Sequence, residues 1–87
     1  MASIEEVKAA LMQAAEQGSV TINQIRAAVE NTEQMLTRLR AISAGTGHPT
    51  IAEAIARGEE SRQRLAEAMT LIQGSAEAAR RYIGVLG

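Results

Sequence analysis

The stretch Ile42-Ser43-Ala44-Gly45-Thr46-Gly47-His48-Pro49-Thr50 decides how this chain folds. Helix breakers cluster there as at no other interior point. Gly45 and Gly47 suit the positive φ that caps a helix C-terminus. Pro49, the single proline, disfavours the helical region for His48. Thr50-Ile51-Ala52-Glu53 then reads as a capping box: the Thr50 hydroxyl accepts from the Glu53 backbone N–H, and the Glu53 side chain reaches back to the Thr50 N–H. A stop followed at once by a start splits the chain into two nearly equal helical arms. So short a connection makes the arms antiparallel neighbours.

Composition points the same way. The 87 residues suffice for one small domain. Tyr82 is the only aromatic and alanine is the commonest residue, a composition of long helices rather than of a sheet. Without Phe or Trp the core is thin, and a chain of this size then needs idealised helix packing, a staple or a partner. No cysteine is present, which excludes disulfides and thiolate metal sites. The formal net charge is −1, with both signs mixed on both arms; no basic patch predicts nucleic-acid binding. The acidic start, Ala2-Ser3-Ile4-Glu5-Glu6, is not a signal peptide. No run approaches the ~18 apolar residues of a membrane span. A cytoplasmic protein is the plain expectation, with export without a cleaved leader as the alternative.

The first arm opens on a second capping box, Ser3-Ile4-Glu5-Glu6. Apolar or small residues follow at Ile4, Val7, Leu11, Ala14, Gly18, Ile22, Ile25, Val29, Thr32, Leu36 and Leu39. The steps alternate between three and four, except for two consecutive fours around Gly18. Such an insertion is a stutter that locally unwinds a supercoil. Thr21-Ile22-Asn23-Gln24 offers a further capping box beside it. Two readings stand: one helix from about 3 to 43, bent at Gly18, or two helices broken there. The stripe resumes on the same face and no proline intervenes, which favours the single helix.

The second arm carries a fault-free heptad stripe: Ile51, Ile55, Gly58, Arg62, Leu65, Met69, Ile72, Ala76, Ala79, Ile83 and Leu86. Arg62 is its one charged member, with a stem long enough to keep its head in water. The sequence thus predicts an all-α, antiparallel two-helix hairpin as a single domain over 1–87, with helices over about 3–43 and 50–84 and a loop over about 44–49. Folding the chain about Gly45 pairs Ile4 with Leu86, Ala14 with Ala76, Gly18 with Ile72, Thr32 with Gly58 and Leu36 with Ile55.

A second apolar set runs beside the stripes. It comprises Ala28, Met35 and Ile42 on the first arm, and Ala68, Leu71, Ala78, Tyr82 and Val85 on the second. Two helices cover one seam each, so this face stays wet on a monomer and marks an interaction surface. Two hairpins joined face to face make a four-helix bundle that covers it. The candidate interface residues are Ala28, Met35, Leu71, Ala78 and Tyr82, and the partner is a second copy or a similar helical chain.

No residues assemble into a chemical site. His48 is the only histidine and reads as an exposed turn residue, since a metal needs several ligands. The carboxylates are all Glu, and pairs such as Glu5-Glu6 and Glu59-Glu60 read as solvated helix faces with partners like Arg64 a turn away. No Glu has a His three residues on, as a di-metal carboxylate bundle requires. Gly45-Thr46-Gly47 lacks the strand and lysine of a phosphate-cradling loop. A small ligand-binding bundle would need an inward polar cluster, for which only Thr32, Arg62 and His48 offer themselves. No catalytic residue, cofactor or small-molecule substrate is expected.

Two amphipathic helices of about 40 residues joined at mid-chain resemble the WXG100 family of small helical-hairpin proteins. The likeness covers the whole chain in architecture. Gly45-Thr46-Gly47 stands where that family has Trp-x-Gly, and Tyr82 is followed four residues later by Leu86 where the family's secretion signal has Asp or Glu. The Ala- and Arg-rich, Lys- and Asp-poor usage is similar in style to small helical proteins of high-GC actinobacteria. The resemblance implies a substrate or partner of a type VII-like secretion system. The residues themselves imply a non-enzymatic, self-associating protein with a structural, scaffolding or adaptor role.

Overall fold

A computed structural model describes residues 2–87. Among them two α-helices, α1 (Ile4–Ser43) and α2 (Pro49–Leu86), pack along their full length as an antiparallel hairpin. The molecule is a rod of 63 × 19 × 14 Å, its length set by a 40-residue helix at about 1.5 Å per residue. The antiparallel two-helix hairpin expected from the breaker cluster is the fold observed.

One half of the first capping box forms: the Glu6 backbone N–H donates to Ser3 Oγ at 3.1 Å, and Glu5 and Glu6 complement the helix dipole from the first turn. The turn is built differently from the expectation. α2 starts earlier, at Pro49, and its cap is His48 rather than Thr50. The His48 Nδ1 accepts from the Thr50 N–H at 3.1 Å. Proline fits the first helical position because its missing N–H is one that a helix start leaves unpaired. Thr50 is therefore already inside the helix, and the Thr50-Glu53 capping box does not form; Glu53 bonds forward to Arg57 Nε at 3.0 Å. Nor do Gly45 and Gly47 take positive φ, which among the described residues is found only at Gly87. Ala44 stays right-handed, and the end of α1 tightens through Gly45 N–H to Ile42 O at 3.0 Å and Thr46 N–H to Ser43 O at 3.3 Å. Such short-range bonds satisfy terminal carbonyls without a left-handed residue. At the far end α2 runs through Gly84 to Leu86, past the expected limit at 84.

α1 is one unbroken helix, and it has no stutter. Ala15 is buried and Ala14 exposed, so the seam runs Ile4, Lys8, Leu11, Ala15, Gly18, Ile22, Ile25, Val29, Thr32, Leu36, Leu39, Ser43. The steps alternate four and three throughout, and each residue after Ile4 is buried or half-buried. Val7 and Ala14, which the sequence reading placed on the seam, lie one position beside it. Lys8 joins the seam through its stem while its Nζ donates to the Gly87 carbonyl at 2.6 Å. The capping box at Thr21 is overridden as well. The Thr21 hydroxyl donates back to the Gln17 carbonyl at 3.0 Å and Ser19 Oγ to the Ala15 carbonyl at 3.4 Å, both compatible with continuing helix.

The register also shifts. The loop spans residues 44–48, and the close pairs Leu36 with Gly58 and Gly18 with Ala76 centre the fold on Gly47 and not on Gly45. The side chain over Gly58 is Leu36 rather than Thr32. A Cβ built on Gly58 lies 2.7 Å from Leu36 Cδ2 and 3.2 Å from Met35 Cε. Thr32 instead borders Ser61, Arg64 and Leu65, a turn further along α2. Gly18 faces Ala76 Cβ, at 3.4 Å from its own built Cβ, as well as Ile72 Cγ2 at 3.7 Å. The fully covered core is small: Ala15, Leu36 and Ala76 are its buried apolar residues, and Gly58 is the buried glycine between them. Two helices shield only the centre line of their seam, so most stripe residues remain half-buried.

Candidate functional site

The polar residues that were candidates for chemistry do not converge. His48 is exposed, and its Nδ1 is committed to capping α2. Thr32 lies about three turns up α1, and its hydroxyl donates to the Ala28 carbonyl at 2.7 Å. Arg62 is a half-buried seam residue on α2. Among the described residues no group of three potential metal ligands is close enough to hold an ion, and no buried side-chain polar atom lacks a partner. The glycine at 18 leaves a hollow of about 110 Å³ beside Ala14, Ile72, Ser75, Ala76 and Ala79. It is too apolar and too shallow to orient a substrate.

What the fold does build is a pair of unlike broad faces. Seam residues recur every three and four positions, so each helix presents one flanking series on either side of the seam. In an antiparallel pair, like series come together on one face. On the first face α1 contributes Glu5, Met12, Ser19, Arg26, Glu33 and Arg40. α2 contributes Ala52, Glu59, Ala66, Gln73 and Arg80. Two cross-helix bonds tie this face: Arg40 to Glu59 Oε1 at 3.0 Å, and Arg80 to Ser19 Oγ at 3.3 Å. The ion pair is about half exposed on both sides and is worth little by itself, but it establishes which flanks face each other.

The opposite face carries no charge at all in its flanking series. From α1 come Val7, Ala14, Thr21, Ala28, Met35 and Ile42. From α2 come Ala54, Ser61, Ala68, Ser75 and Tyr82. Leu71, Ala78 and Val85 extend it along the outer border of α2. Several of its large side chains are wet: Leu71 is 74% exposed, Val85 78% and Tyr82 51%. All five candidate interface residues fall on this side, with Ala28, Met35 and Tyr82 in the flanking series and Leu71 and Ala78 on its border. Met35 also reaches inward to Gly58. The whole extent of the face, from Val7 and Ala14 through Ser61 and Ser75, is not legible from the heptad stripes alone. Its signal was an absence of charge at every seventh residue, which becomes visible once Ala15 replaces Ala14 on the seam.

No helix of the described residues is long and apolar enough to cross a membrane. In comparisons with known proteins, no family model, no curated protein and no solved structure matches this chain.

Proposed function

We propose that the chain is a non-enzymatic helical hairpin that self-associates, most simply as a homodimeric four-helix bundle, and serves a structural, scaffolding or adaptor role in the cytoplasm. The observation that carries this reading is the uncharged broad face with Leu71, Tyr82 and Met35 exposed upon it. Burial of one large apolar side chain contributes roughly 1.5–3 kcal/mol, whereas ordering each residue's backbone costs roughly 1–2 kcal/mol. With three buried apolar residues, a lone hairpin has little to offset that cost. Association adds burial without ordering much more chain.

Absolute mass by light scattering over a range of concentrations, with helicity followed by circular dichroism, tests the reading. A helical dimer or tetramer is expected. Leu71→Glu combined with Tyr82→Glu places two charges on the uncharged face and yields monomers of reduced stability. A double variant as oligomeric and as stable as the parent overturns the proposal. A parent that stays a helical monomer at every concentration does the same. That last result would favour a second reading, in which the face awaits a similar but different helical chain, as the two-helix architecture and its resemblance to the WXG100 family suggest. Export together with such a chain would then be the property to measure.

A further inference from the structure

We infer that the uncharged face receives the same face of a second copy, with the two hairpins antiparallel, loop end over terminal end. This rests on the self-association proposed above and adds the surface and the direction.

Charge selects the surface. Burying the other broad face removes Glu5, Arg26, Glu33 and Arg80 from water, and buried charges are costly unless paired. The uncharged face has none to desolvate. Its area is adequate: the 63 Å length and even the narrower 14 Å extent outline about 900 Å², against the ~800 Å² per partner that a stable interface buries.

Size and charge together select the direction. A two-fold axis across the rod at mid-length stacks α1 on its own copy and α2 on its own copy. Ala68, at the middle of α2, then meets Ala68 of the second copy, where small side chains let the helices approach. Met35 falls between Ala14 and Thr21, and Tyr82 opposite Ala54, large against smaller in both cases. Along the border Arg64 falls over Leu71, 74% exposed on one hairpin, and Arg57 over Ala78, so an arginine stem covers Leu71 while its head reaches water. A parallel arrangement instead sets Arg38 over Arg57 of the second copy near the loop end, like charges that the Arg57–Glu53 pair offsets only in part.

The chain has no native cysteine, so single cysteines report on the interface directly. A disulfide needs Cα atoms within about 7 Å. Ala68→Cys is expected to give covalent dimer as the major oxidised species, whereas Ala66→Cys, on the charged face at the same height, stays uncrosslinked. Ser61 and Ser75 each lie seven residues from Ala68, about 10 Å along the helix. Ser61→Cys or Ser75→Cys alone therefore leaves its two thiols about 21 Å apart and does not link, but a mixture of the two variants does. Light scattering of the reduced proteins separates self-association from the choice of face and direction. A monomeric mass overturns the self-association itself. An oligomeric mass with Ala66→Cys linking, or with the Ser61 and Ser75 variants failing to link when mixed, leaves self-association standing and overturns this face and direction.

Discussion

Glycine has opposite meanings at different points of this chain, and the neighbours of its missing side chain decide which. At Gly74 nothing lies within 4 Å of a built Cβ. Gly74→Ala should stabilise by up to ~1 kcal/mol through helix propensity alone. At Gly58 the same methyl group would lie 2.7 Å from a Leu36 side chain that is fully buried. Overpacking costs about 1–3 kcal/mol, so Gly58→Ala should be net destabilising despite its gain in propensity. Leu36→Ala removes the largest fully buried side chain and should cost about 2–5 kcal/mol, enough to unfold much of the protein. Urea titrations followed by circular dichroism at one fixed protein concentration rank the three. A Gly58→Ala variant as stable as Gly74→Ala would show that Leu36 repacks freely.

The helices owe their ends to local chemistry that short-range reading anticipates only in part. Ser3 caps α1 as its motif announces. At α2 two caps compete, and His48 with Pro49 prevails over Thr50 because proline at the first helical position already fixes φ and lacks the unpaired N–H. The consequence is measurable. His48→Ala should cost about 1 kcal/mol, as loss of an N-cap acceptor generally does, while His48→Asp, which keeps an acceptor, should be close to neutral. Thr50→Ala should change stability by less than His48→Ala; the reverse order would restore the capping box. The earlier start of α2 also reaches into packing. Centring the fold on Gly47 seats Leu36 on Gly58, and this is why Thr32 ends beside Ser61 and Leu65 instead.

As a whole the molecule is a thin rod whose core alone is meagre and whose two broad faces differ in kind. Its dimensions allow a test of how copies combine. Closed hairpins stacked side by side keep a long dimension near 63 Å while the mass doubles. Hairpins that open and exchange an arm form a continuous helix across the loop, at 1.5 Å per residue about 125 Å long. X-ray scattering of the oligomer should therefore give a maximum dimension close to that of a single hairpin. A value near the longer figure would mean that the loop straightens on association.

The breaker cluster from Ile42 to Thr50 and the lack of bulky aromatics determined by themselves that this is an antiparallel helical hairpin. Both act locally, through backbone preferences that need no partner. The heptad rhythm of α2 was equally legible, because Ile, Leu and Met mark its seam. Where alanines adjoin, the rhythm lost its meaning: Ala14 and Ala15 are the same residue, and only packing against α2 decided that Ala15 goes inward and that α1 has no stutter at Gly18. The register was likewise a tertiary outcome, since it depends on where the turn is centred and on the fit of Leu36 over Gly58. So was the segregation into a charged and an uncharged face. Flanking residues on each helix are symmetric about its own seam, and it takes the opposite helix, with Arg40 reaching Glu59 and Arg80 reaching Ser19, to decide which flanks share a surface.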